Sequence, residues 1–224
     1  MNSGNKAKRL SASKTASGRL CADLSRGIHA AAQPLSILRA SLDRGYTDRM
    51  TEAELRDMVD SSAAEVERVC TLFNYLQQIV MVESIEPKIA ALPIAPLLAD
   101  AADGVNLLFE KDGMLLRAKA PADCPPVLID KERTLHALSA VLLIAHTVSR
   151  ARDTVDFVTS AFSRSVRVVV RNRNSNVLKM NAEAGLSMAL ADANIRSQHG
   201  DFSWSLQPFC VHIGLRRASF APHD

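Results

Sequence analysis

The chain has 224 residues, 47% of them hydrophobic, and a net charge of +3 from 27 Lys+Arg against 24 Asp+Glu. At about 150 residues per domain that length gives one or two domains, and a chain this size buries about 70% of its unfolded surface without a disulfide or metal to hold it. The small charge excess and 4% aromatic content exclude a basic, base-stacking surface for nucleic acid, and the longest apolar stretch, 137–145, is far short of the ~20 residues of a membrane span.

Cys21, Cys70, Cys124 and Cys210 form no CxxC pair. They fit reduced thiols in a cytoplasmic protein better than a disulfide framework or a zinc site, and no metal or cofactor is expected. Residues 1–15 are polar and basic and read as a disordered tail. From Ser17 a helical stripe begins: Leu20, Leu24, Ile28, Ala31, Leu35, Leu38 and Leu42 recur at intervals of three and four, up to Gly45. Thr51, with Glu54 three residues on, makes a capping box. A second stripe then runs through Leu55, Met58, Val59, Ser62, Val66, Val69, Phe73, Leu76 and Val80. Two rods of this kind joined by a short loop form a hairpin over 16–86. One hairpin cannot cover both of its apolar flanks, so two chains are expected to form a dimeric four-helix bundle.

Pro87, Pro93 and Pro96 mark a boundary. Beyond it, 87–218 read as an α+β domain with a mixed sheet and helices on one face. The expected elements are a helix over 93–111, strands at 114–118 and 127–129, and a buried helix over 130–149. Strands at 155–161 and 166–171 follow, then a loop at 172–181 and a helix over 182–198 closed by Gly200. Strands at 201–206 and 211–216 end the domain. Arg150, Arg152, Arg164, Arg167, Arg171 and Arg173 make its middle basic, by default a solvated face.

One residue of the first helix stands out. His29 lies one position off the leucine stripe, so it points outward, and its neighbours Ser25, Arg26, Ala32, Gln33 and Ser36 are polar or small. Pro34 interrupts the helix just beyond it. A histidine followed after four residues by Pro34-Leu35, on the first helix of a dimeric hairpin, resembles the phosphoacceptor box of sensor histidine kinases. Pro125-Pro126-Val127-Leu128-Ile129-Asp130 resembles the strand-to-helix entry of that family's ATPase domain. Gly185-Leu186-Ser187-Met188-Ala189-Leu190, then His199-Gly200 and a β-hairpin, resembles its last glycine box and closing strands. The likeness spans about residues 20–217.

The resemblance implies a phosphoaccepting His29, a surface around Ser25, Arg26, Ala32, Gln33 and Ser36 that meets response-regulator receiver domains, and a homodimer. It also exposes departures. Ala30 stands where the family carries an acid. Ala140 and Ile144 replace two asparagines that hold Mg²⁺ and phosphates. Asn172, Asn174 and Asn176 replace the Asp-x-Gly-x-Gly box, Ser187 replaces a further glycine, and the lid shrinks to about 177–184. Loss of the metal ligand, the glycines and the lid together predicts that ATP is not used productively. The expected function is a histidine phosphotransfer relay between receiver aspartates through His29. The rival is a non-catalytic pseudokinase that grips a response regulator or kinase as an adaptor, and an unconventional kinase is the third reading. His136, His146, His199, His212 and His223 show no metal pattern.

Overall fold

The computed structural model describes the backbone of residues 3–47, 50–121, 123–174 and 180–218, and the side chains of these residues except 3–17 and 47. The chain divides into two compact units, residues 1–80 and 81–224.

The first unit is a helical hairpin of α1 (Ser3–Thr47) and most of α2 (Glu52–Ser84). Helix α1 begins at Ser3, fourteen residues before the apolar stripe, within the segment 1–15 expected as a tail. Its first turns hold good helix formers, such as Lys6, Ala7, Lys8 and Leu10, and no proline. Extending an established helix costs little per residue. Helix α2 starts on the expected capping box: Thr51 N–H and Thr51 Oγ each donate to Glu54 Oε2 at 2.8 Å, and Glu54 N–H donates back to Thr51 Oγ at 3.3 Å. Those bonds hold the Glu54 carboxyl below its ordinary value.

The leucine stripe of α1 splits into two. Ala31 is buried and Leu24 and Leu38 are half-buried, while Ile28, Leu35 and Leu42, alternating with them, stay exposed. Helix α2 divides likewise: Leu72, Leu76 and Ile79 are buried, and Val59, Val66, Phe73 and Val80 are exposed. The helices come close at Gly27, where a Cβ would stand 2.3 Å from Leu76 Cδ2.

The second unit is a two-layer α+β domain. Its five-stranded sheet has the order β2 (Leu115–Lys119), β4 (Thr154–Ala161), β5 (Ser165–Asn172), β7 (Phe209–Arg216), β6 (Asp201–Leu206). Strands β2 and β4 are parallel and the other neighbours antiparallel, which makes the sheet mixed. Helices α3 (Ile94–Lys111), α4 (Lys131–Thr147) and α5 (Ala182–Ser197) cover one face. Between them the core closes on Phe109, Phe157 and Phe209, each fully buried and each worth about 1.5–3 kcal/mol of transfer free energy. Strand β3 (Val127–Ile129) pairs with β1 (Ala90–Leu92) as a small second sheet. The sequence pattern does not reveal β1, because it is three residues long and lies between Pro87 and Pro93.

The last turn of α2 belongs with this second unit, so the division falls six residues before the expected boundary at 86. Arg133 explains why. Its guanidinium donates to Val82 O (3.1 Å), Ile85 O (2.6 Å) and Ser197 Oγ (2.8 Å), satisfying carbonyls that the end of α2 leaves free. Asp130 caps α4 by accepting from Arg133 N–H at 3.1 Å and accepts Lys88 N–H at 2.7 Å. At the end of α5 the left-handed residue is His199, with φ 63°, rather than Gly200. Gly200 is the next residue, donating to Ile195 O at 3.0 Å. A Cβ there would meet Gly214 O at 2.9 Å, so close approach rather than a positive φ calls for glycine.

Candidate functional site

The inner stripe of α1 is set by Gly27, Ala31 and Pro34, all buried. At about 100° per residue, His29 lies roughly 200° around the helix from Gly27, and its side chain is exposed. The surrounding flank follows the same geometry. Ser25, Arg26, Ala32, Gln33 and Ser36 are all exposed. Arg26 pairs with Asp23 one turn back, and Ser36 Oγ donates to Ala32 O at 2.8 Å. Pro34 lacks the N–H that would bond to the Ala30 carbonyl, and it is buried.

Among the described residues, His29 makes no hydrogen bond and no ion pair. Among the described residues no carboxylate pairs with the ring, and the residue directly after it is Ala30. The imidazole is open to solvent, and no neighbouring side chain fixes its orientation.

The residues matched to the nucleotide site are used otherwise. Ala140 and Ile144 are buried on α4 and belong to the hydrophobic core. Asn172, at the end of β5, is fully buried. Its Nδ2 donates to Ser149 Oγ at 2.7 Å and to Asp153 Oδ2 at 2.9 Å, and its Oδ1 accepts Asn174 N–H at 2.9 Å. Both amide protons are therefore spent on protein, the carbonyl accepts a backbone N–H, and the side chain is closed off from solvent. Asp153 also accepts Arg150 N–H at 2.9 Å. The bond from Asn172, more than any other contact, holds the Asp153 carboxyl below its ordinary value. Ser187 is buried on α5, while Asn176 and residues 177–179 of the short lid lie outside the described residues.

The sequence gives no direct sign of this network, because Ser149 and Asp153 sit in the turn after α4 and meet Asn172 only through the β4–β5 pairing. The other histidines have local settings. His136 is half-buried, which lowers its pKa, and Asn194 Nδ2 lies 3.4 Å from its Nδ1. His146 meets the edge of Phe109, with ring centroids 5.2 Å apart. Among the described residues no three His, Cys, Asp or Glu side chains converge as a metal site, and no helix is long and apolar enough to cross a membrane.

No family model matches the sequence and no curated protein matches it. Solved structures do match the fold. The histidine kinase AdeS of Acinetobacter baumannii superposes with a TM-score of 0.60 over 83% of this chain and 95% of its own, at 15% identity. The chain has the histidine-kinase fold. Histidine kinase ThkA, in its complex with the response regulator TrrA, gives a TM-score of 0.63 over 87% of this chain and 61% of its own, at 13% identity. Full-length ShkA in complex with AMPPNP gives 0.58 over 84% of this chain and 46% of its own, at 15% identity. The likeness takes in both units, helical hairpin and α+β domain, and at these identities it concerns the fold.

Proposed function

We propose that this chain is a cytoplasmic, homodimeric histidine phosphotransfer protein of two-component signalling, which relays a phosphoryl group between receiver aspartates through His29 and does not use ATP. The observation that carries this reading is a contrast within one molecule. His29 stands exposed and unengaged, whereas Ala140, Ile144 and Asn172 are buried in the second unit.

In the first step a ring nitrogen of neutral His29 attacks the phosphorus of an aspartyl phosphate. The N–P bond forms as the P–O bond to the aspartate breaks, and the carboxylate leaves. The reverse exchange passes the group to a second aspartate. Docking makes each step effectively unimolecular, and an acyl phosphate needs less activation than ATP, so the missing acid at position 30 is tolerable. The flank of Ser25, Arg26, Ala32, Gln33 and Ser36 is the proposed receiver contact. The ThkA structure holds a response regulator, which supports a partner of that class.

A second copy is proposed to cover the exposed apolar residues. Ile28, Leu35 and Leu42 on α1 and Val59, Val66, Phe73 and Val80 on α2 each recur every seventh residue, the spacing of a helical seam. Ile28 is 62% exposed and Phe73 51%, which is unusual for side chains that add nothing to an interface.

Ala30 favours a second reading, a pseudokinase adaptor that grips a response regulator without being phosphorylated. Incubation with a radiolabelled phosphorylated receiver separates the two. The relay predicts label on the wild type and none on His29→Ala. Binding without label on either protein supports the adaptor, and equal label on both rejects His29.

A further inference from the structure

The sheet face turned away from the helices holds a feature that phosphotransfer does not use, and the inference from it stands apart from that reading. Along β4 and β5 the buried residues Val155, Phe157, Val166, Val168 and Val170 point to the core, so the residues between them face outward. The pairing brings Arg117 of β2, Asp156 of β4 and Arg171 of β5 into one cross-strand row, and Lys119 is two residues further along β2. With Arg173, Thr154 and Asn174 they line an open cleft of about 400 Å³. Four cations meet one carboxylate there.

The way that carboxylate is used is informative. Arg171 Nε lies 3.1 Å from Asp156 Oδ2, and Arg173 Nε lies 3.9 Å from the same atom. Arg171 donates to Asp156 through Nε, and the Nη groups of both arginines make no hydrogen bond among the described residues. Arg117 and Lys119 make no ion pair among the described residues either. Asp156 thus holds two guanidinium groups side by side with their outer edges unspent, the arrangement that grips phosphoryl oxygens in pairs.

We propose that the cleft formed by Arg117, Lys119, Arg171 and Arg173 on the outer sheet face binds a small molecule through a diphosphate group. Strands β2 and β5 are two strand spacings apart, roughly 10 Å. A lone phosphate reaches the cations of one side, and two linked phosphoryl groups reach both. The cleft volume falls within the ~300–1,000 Å³ usual for small-ligand sites, which favours a compact anion over an acidic protein surface. This site is on the opposite sheet face from Asn172.

The test is calorimetric titration of the full chain with inorganic pyrophosphate at low salt. The expected result is one site per chain, at least tenfold tighter than for orthophosphate and weakening as salt rises. The double variant Arg117→Ser/Lys119→Ser should lose at least tenfold in affinity, and Arg216→Ser, at the far end of the same face, should leave it unchanged. Equal affinity in the double variant overturns the proposal, as does an equal loss in Arg216→Ser. A hexaglutamate peptide that binds this face when pyrophosphate does not also overturns it.

Discussion

Asn172 is the position where the proposal that ATP is not used can be weighed. Asn172→Asp puts an acid where the resemblance expects one, so it asks whether the surroundings of residue 172 still accept a carboxylate. In the structure the amide donates to Ser149 and Asp153. An aspartate there donates to neither, and it sets a second carboxylate about one hydrogen-bond length from Asp153. A buried polar group left unpaired costs about 1–3 kcal/mol, and an uncompensated buried charge costs about 3–5 kcal/mol. Asp153 is half-exposed, so water screens part of the repulsion, and the expected loss is about 2–4 kcal/mol. Urea unfolding at a series of pH values measures it.

The sign with pH is distinctive. In the wild type the Asp153 carboxyl is held low, so its stabilisation is present above the ordinary carboxyl pKa and is lost as pH falls through the folded value. In Asn172→Asp the two carboxylates share one site and one of them is pushed up. The native state then binds the extra proton, and the deficit shrinks as pH falls through that raised value. The two stability curves should converge in acid. A variant as stable as the wild type at neutral pH would refute the reasoning, because the new carboxylate would then have room to face outward.

Three further outcomes follow from packing and exposure. Arg133→Met leaves Val82 O, Ile85 O and Ser197 Oγ without their donor. It should cost about 2–4 kcal/mol in urea unfolding, and Arg133→Lys should recover less than half of that, because an ammonium lacks the planar fork. Gly27→Leu drives a side chain into Leu76 where even a Cβ has no room. The expected loss is about 1–3 kcal/mol, and an unchanged melting temperature would contradict the close approach. Val66→Glu/Phe73→Glu puts charge on the exposed seam of α2. Light scattering should give one chain's mass for this variant against two for the wild type, and a wild type that is already monomeric would remove the bundle from the account.

Periodicity made the large elements legible. The strands at 127–129 and 201–206 and the helices over 94–111 and 182–197 lie within a residue of their expected bounds, because burial on one face imposes a repeat that the sequence must carry. The Thr51–Glu54 capping box is local chemistry and was readable for the same reason. His29 was readable as outward-facing because its helix has a well-marked inner stripe. Features that depend on chain segments meeting at a distance were not legible. The stripe from Leu20 to Leu42 looks uniform in sequence, yet Ala31 is buried while Leu35 is left exposed. Asn172 looks like a conservative stand-in for aspartate until Ser149 and Asp153 are found against it. Arg117 and Arg171, 54 residues apart in the numbering, become neighbours across Asp156 only through the sheet register.

The role of His29 is tested most directly in protein recovered from cells under conditions that preserve phosphoramidates and mapped by mass spectrometry. The account predicts an acid-labile phosphate on residue 29 that disappears when the upstream phosphorylated receiver is removed. Unmodified His29 in cells with an active pathway, or phosphate that persists without any receiver, would contradict it.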